Sequence, residues 1–174
     1  MSIAPLQEGV DHVRGPSSAP LIVEYGDYEC PYTRQAFRAI ERVERHLNGE
    51  VRFAFRHFPL TEIHPHALAA SAAAEAGALQ DRFWEMHTLL FHRQSELEDE
   101  DLERYAMELD LDLAGFEVDQ ASEEVMNRIR RDVESGEASE EVLGTPTLFI
   151  DGVVHRGGYE VGTLLNALSS GARA

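Results

Sequence analysis

The sequence predicts an α/β fold in a single domain, 1–174. A strand–helix–strand half and a hairpin–helix half are separated by an inserted block of helices. Three observations predict it. Leu21 to Tyr25 is a short, β-rich apolar run bounded by Pro20 and Gly26, as a buried strand is. From Pro65 to about Glu141, apolar residues recur at helical spacing almost throughout. Thr147 to Ile150 and Val153 to His155 are apolar runs on either side of Asp151-Gly152, a hairpin turn signal.

In chain order, residues 1–19 form an irregular lead-in, with Val10 to Val13 adding a short edge strand before Gly15-Pro16. Leu21 to Tyr25 is the first central strand; Glu24 interrupts it, and a carboxylate there is costly unless paired, hydrogen-bonded or protonated. Pro31 to Asn48 reads as a helix: Pro31 suits the first helical position, Ala36, Phe37, Ile40, Val43 and Leu47 share a face, and Asn48-Gly49 ends it. Val51 to Phe58 alternates as a second strand, with Val51, Phe53 and Phe55 on one side and Arg52 and Arg56 among the others. Strand, long helix, strand implies parallel strands and a right-handed crossover.

The insertion opens with an Ala-rich helix, Ala67 to Leu79, whose small side chains allow close approach to a neighbour. Asp81 is the expected cap of a helix carrying Phe83, Met86 and Leu90, and Asp99, Asp112 and Ser122 begin three more. Val125, Met126, Ile129 and Val133 mark the buried face of the last. Val161, Leu164, Leu165 and Leu168 give a closing amphipathic helix before a frayed tail. This order is a thioredoxin-type core, about 10–62 and 143–170, with an inserted helical subdomain, about 63–142.

A length of 174 residues supports a substantial core, and 43% hydrophobic with 27% charged residues is ordinary for a globular protein. The net charge of −17 argues against nucleic acid and anionic membranes as partners. No apolar run approaches the ~18 residues of a membrane span. The N-terminal MSIAPLQEGVDHVRGP has neither the basic nor the apolar region of a signal peptide. A cytoplasmic location is the expectation. Oligomeric state is not legible.

The chemistry centres on Cys30, the single cysteine. It stands at a strand-to-helix junction, at the positive end of a helix dipole, where a thiolate is stabilised and reactive. Free cysteines are commonly small buried hydrophobes, but a cysteine before proline at a helix start is not in such a position. One cysteine makes no internal disulfide, so any redox chemistry involves a second molecule. A Cys-x-x-Cys pair would need a cysteine where Thr33 stands. No metal site is expected: His64-Pro65-His66 sits at a helix start, where capping is the favoured role, and His87 and His92 do not share a helical face.

Six stretches carry a family likeness: Val10 to Pro16 (VDHVRGP), Val23 to Tyr32 (VEYGDYECPY), Arg56 to Leu60 (RHFPL), His64 to Ala67 (HPHA), Phe83 to His87 (FWEMH) and Gly144 to Thr147 (GTPT). On these the chain resembles the DsbA-like thiol–disulfide oxidoreductases of the thioredoxin superfamily. It is most similar to the bacterial branch sometimes found appended to sodium/proton antiporters. The resemblance implies that Cys30 is the nucleophile and that Pro146 is a cis-proline facing it. Pro31, Tyr32, Thr145 and Pro146 would lie against substrate, and Glu24 would be the buried acid beneath the site. Where that family has Cys-Pro-Tyr-Cys, this chain has Cys30-Pro31-Tyr32-Thr33, a monothiol variant.

Thr33 keeps half of the family's chemistry: its hydroxyl, with the Tyr32 and Thr33 amides, is placed to hydrogen-bond a Cys30 thiolate. It cannot resolve a mixed disulfide. An external low-molecular-weight thiol, glutathione or another, would act as co-substrate, with no bound cofactor. Two further classes stay open: a non-catalytic binding or chaperone-like module, and a glutathione-dependent transferase or isomerase, the last by fold analogy alone. Partners are accordingly protein thiols and disulfides or small thiols. Asp27 and Glu29, if close to Cys30, would disfavour its thiolate, with Arg34 and Arg38 available to offset them.

Overall fold

A computed structural model of the protein describes residues 3–171. Its elements are β1 (His12–Arg14), β2 (Leu21–Gly26), α1 (Pro31–His46), β3 (Arg52–His57), α2 (Ala67–Ala78), α3 (Phe83–His92), α4 (Asp99–Glu108), α5 (Leu113–Gln120), α6 (Glu123–Ala138), β4 (Thr147–Ile150), β5 (Val153–Val154) and α7 (Val161–Gly171). The strands form one sheet in the order β1-β3-β2-β4-β5. β2 and β3 are parallel, running from Leu21 opposite Arg52 to Gly26 opposite His57. β1, β4 and β5 join antiparallel. The fold is the expected α/β, thioredoxin-like one with α2 to α6 inserted between its halves. The tail expected to fray lies outside the described residues.

Alternation along the strands divides the core. Ile22, Phe53, Phe55, Leu148 and Ile150 pack with α1, α7 and the inserted helices α2 to α4. Val23, Tyr25, Ala54 and Phe149 point to the other face, with Ile3 and Val142. α6 covers that second face: the Tyr25 hydroxyl meets Ser135 Oγ at 2.8 Å, and a Cβ on Gly136 would lie 3.0 Å from the Phe58 ring. A sheet covered on both faces explains why its strands read as nearly continuous apolar runs.

Local chemistry sets most boundaries. α1 stops at His46 because Asn48 and Gly49 adopt positive φ, 51° and 82°. Asp112 and Ser122 cap α5 and α6 as expected, accepting from the Gly115 and Val125 amides. Asp81 does not cap α3. It takes φ 59° in the preceding turn, and Arg82 is the residue before the helix. The reason is that the chain must reverse between α2 and α3, where the Arg82 amide returns to the Gly77 carbonyl at 2.8 Å. On α6, Asp132 and Gly136 join Val125 and Ile129 on the buried face, while Val133 is only half-buried.

Arg56 is the largest fully buried side chain, although strand alternation groups it with Arg52. Its guanidinium donates to both Asp11 carboxylate oxygens (2.9 and 3.1 Å), the Ala4 and Pro5 carbonyls (2.9 and 3.1 Å) and the Tyr25 hydroxyl (2.9 Å). The planar fork satisfies the lead-in backbone and staples it to the second face of the sheet. Burial raises the Asp11 carboxyl, but hydrogen bonds from Arg56 and Arg131 outweigh it and hold the group at about 2.

Breaking this pair leaves a buried charge unpaired, so Asp11→Asn should lower the unfolding free energy by about 2 kcal/mol at pH 7. The group's folded value lies below its ordinary 3.8, so the stabilisation is present above pH 3.8 and lost as pH falls toward 2. Urea denaturation across that range should show the gap between wild type and variant closing on the acid side.

Candidate active site

Cys30 is the residue before α1, at the carboxyl end of β2 and in extended conformation (φ −75°, ψ 121°), with Pro31 beginning the helix. Open α/β sheets place their sites at this end. Cys30 is only 3% exposed. Its thiol donates to the Thr145 carbonyl oxygen at 3.3 Å. The Thr145–Pro146 peptide is cis. The turn before β4 and the N-terminus of α1 therefore meet at the sulfur, although 115 residues separate Cys30 from Thr145. Thr145 Oγ1 is buried without a partner. Tyr32 is 59% exposed beside the sulfur.

Thr33 is fully buried. Its hydroxyl accepts from the Asp27 amide at 3.4 Å rather than reaching Cys30. The sequence expectation that it bonds the sulfur is corrected here: the first turn of α1 aims residue 33 back under the loop, where Gly26 and Phe55 crowd it. A Cβ on Gly26 would lie 2.4 Å from the Phe55 ring and 2.9 Å from Thr33 Cγ2, so only glycine fits.

Asp27 and Glu29, the acids before the cysteine, bond to neighbouring loops. Asp27 accepts from the Glu29 amide (2.7 Å), the Leu60 amide (2.8 Å) and His64 Nδ1 (2.8 Å). Glu29 accepts from the His66 amide and pairs with His66 Nδ1, both at 2.7 Å. The histidines of the HPHA stretch thus hold these acids, and the His66 side chain does not cap α2. Arg34, expected to offset the acids, donates instead to the His92 carbonyl at 3.3 Å.

Gln94, a residue of this shell, was not singled out by sequence. Gln94 Nε2 donates to the Tyr28 and Cys30 carbonyls (2.8 and 2.9 Å), clamping the loop from the far end of α3. Tyr28 is fully buried, and its hydroxyl shares a hydrogen bond with His87 Nδ1 at 2.9 Å. Burial holds the His87 imidazole well below its ordinary value. Only the polar type of Gln94, in a loop after an amphipathic helix, hinted at such a role.

Glu24 lies on β2 with the same parity as Ile22, toward the face that carries α1. It is fully buried, and neither carboxylate oxygen has a partner. Burial raises its carboxyl to about 8, against a lowering by the Arg14 charge. Two clefts share Tyr159 as a wall. One, of about 630 Å³, runs between α1 (Tyr32, Gln35, Arg38) and the chain entering α7. The other, of about 450 Å³, follows Leu143 to Thr147 and the β5 side.

The family profile described as Thioredoxin matches residues 7–169. The chain belongs to the thioredoxin family. Among solved structures, a thioredoxin-like oxidoreductase from Silicibacter pomeroyi is 23% identical with a TM-score of 0.84, covering 96% of this chain and 95% of that one. Oxidised BdbD from Bacillus subtilis is 19% identical with a TM-score of 0.84, covering 99% and 98%. Both share this thioredoxin-like fold with its helical insertion. A curated relative, Na(+)/H(+) antiporter NhaA 1 of Mycolicibacterium vanbaalenii, is 42% identical over 98% of this chain. The chain spans 28% of that relative's length. Among the described residues no helix is long and apolar enough to cross a membrane.

A buried acid whose folded value is raised favours the fold most below its ordinary value of 4.5 and loses that advantage as pH rises to about 8. Glu24→Gln should therefore match wild type in stability near pH 4.5 and exceed it by a few kcal/mol above pH 8. Guanidinium denaturation at pH 4.5, 6.5 and 8.5 checks this; a constant difference across the series would exclude the buried neutral acid.

Proposed function

We propose that this thioredoxin-family chain is a thiol–disulfide oxidoreductase working through Cys30 alone, with an external low-molecular-weight thiol, glutathione or another, completing turnover in the cytoplasm. The observation that carries the reading is the meeting of Cys30 Sγ with the Thr145 carbonyl beside cis-Pro146, at the start of α1, with the hydroxyl of Thr33 turned away from the sulfur. In the first step the Cys30 thiolate attacks one sulfur of a substrate mixed disulfide. A Cys30–S–S bond forms, the substrate S–S bond breaks, and the leaving thiolate takes a proton. In the second step the small thiol, as its thiolate, attacks the adduct sulfur. It leaves as the oxidised small disulfide and returns Cys30 as thiolate. One disulfide is consumed and one is formed, so the electrons come from the small thiol.

In this reading Tyr32 and the Thr145–Pro146 turn form the walls against which the substrate lies. Pro31 sets the direction of α1. Glu24 is the proton-holding group beneath the site. The transport activity in the antiporter relative's name belongs to a much longer protein and is not carried over. A second reading, a binding or chaperone-like module without turnover, draws on the 3% exposure of Cys30, which limits approach to the sulfur.

The test is turnover of a small-thiol mixed disulfide on a peptide, with the small thiol in excess. Wild type should turn over, and Cys30→Ser should lose the activity entirely. Mass spectrometry should find the small-thiol adduct on Cys30 when the excess thiol is withheld. Thr33→Cys should acquire an internal disulfide under oxidation and reduce its substrate without the small thiol. A Cys30 adduct that forms but is never resolved would favour the binding module.

A further inference from the structure

Away from Cys30, three side chains from three elements converge beneath the insertion. His12 comes from the edge strand β1, His57 from the end of β3 and Glu75 from the middle of α2. The Nε2 atoms of both imidazoles point at one oxygen, Glu75 Oε1, at 2.7 and 2.6 Å. The donor atoms of the three residues all lie within 4.8 Å of one another.

We propose that His12, His57 and Glu75 bind one divalent first-row transition-metal cation, zinc or its neighbours, with free coordination positions facing the cavity beside α2.

The donor set suits this class. Two borderline imidazole nitrogens beside one hard carboxylate oxygen favour such ions over calcium or magnesium. A cation held at the ordinary ~2.0–2.2 Å with tetrahedral angles would replace the two N–H protons now shared with Oε1 and set the donor atoms about 3.4 Å apart, so each contact needs to open by less than about an ångström. The ligands are also rigidly held. His12 stacks on Phe83, with centroids 3.5 Å apart and planes 9° from parallel. The His57 amide donates to Asp132 at 2.9 Å, fixing the end of β3. His57 Nδ1 is buried without a partner, so Nε2 is that ring's only polar contact. Glu75 Oε2 has no hydrogen-bond partner among the described residues and is left for a second bond to a cation.

Access comes from a cavity of about 380 Å³ that His12 and Glu75 share with Gly9, Leu79, Glu124 and Arg128. Glu124 brings a further carboxylate to its wall. Arg128 is the one cation there: NH1 lies 2.6 Å from Asp132, a carboxylate it shares with Arg131, and Nε donates to the Val10 carbonyl at 3.0 Å, while NH1 and NH2 have no hydrogen-bond partner. Bound at this point, the ion would join α2 of the insertion to β1 and β3 of the sheet. It would therefore stabilise the assembled fold, in which the three ligands are brought together.

The experiment is titration of the chelator-treated full chain with zinc chloride by calorimetry, paired with cobalt(II) absorption. Wild type should bind one zinc ion per chain and melt at higher temperature when saturated. The cobalt form should show ligand-field bands of a nitrogen–oxygen site, without a thiolate charge-transfer band. His12→Ala, at the partly exposed edge, and Glu75→Gln should each weaken binding by at least about tenfold. Cys30→Ser should bind as wild type does, which separates this site from the redox chemistry. Absence of saturable one-to-one binding in wild type would overturn the proposal. So would unchanged affinity in both variants, or a thiolate band that disappears in Cys30→Ser. Should either variant fail to fold, the wild-type stoichiometry, melting shift and cobalt spectrum decide the matter.

Discussion

Asp27 is the constraint on which the site depends. Its carboxylate is fully buried, and it joins the loop after β2 to the loop after β3 through the Glu29 amide, the Leu60 amide and His64. Its backbone does equal service: the Cys30 amide donates to its carbonyl at 3.1 Å, and its own amide donates to Thr33. The parallel pairing of β2 and β3 brings these loops to one edge. Asp27 then converts proximity into a fixed position for the first turn of α1. A buried carboxylate with this many donors is worth its desolvation because each donor would otherwise be an unsatisfied buried amide or imidazole. An acid that by sequence threatens the neighbouring thiolate is thus engaged in holding the thiol in place.

From that hub the setting of the cysteine follows. The cysteine is held at a helix start against the turn before β4, while residue 33 is a buried threonine bonded to the hub. A second sulfur is absent, and Glu24 below remains without a hydrogen-bond partner. Burial then decides its state. With no donor to favour the anion and no solvent to hydrate it, the neutral acid wins over the pull of Arg14.

The insertion is more than a cover. The alanines of α2 let it lie close to α3, α5 and α6 and leave room for Glu75 to reach the sheet. On the opposite face Arg56 gathers the lead-in segment, so polar groups knit both layers to the same two strands. Arg56 and Asp11 are tolerated in a tightly packed interior because their charges pair and their hydrogen bonds are made.

The periodicities of 2 and 3.6 made the strand and helix order legible, and turn residues such as Asp151-Gly152 and Asn48-Gly49 marked the reversals. Cys30 before Pro31 was equally plain, because the chemistry of a helix start is local. What local pattern could not reach was pairing between distant side chains. Alternation groups Arg56 with Arg52, yet Arg56 lies at the centre of a buried network, because a second layer covers that face. Asp81 resembles a cap, yet the α2–α3 reversal needs it in a left-handed turn. Gln94, and the convergence of His12, His57 and Glu75, leave no trace in spacing: their partners sit on other elements. The amino-acid sequence by itself determined the elements, their order and the place of the single cysteine at a helix start, since those follow from short-range propensity and amphipathicity. The tertiary structure decided which polar groups meet, because hydrogen-bond geometry between residues far apart in the chain exists only once the layers have packed.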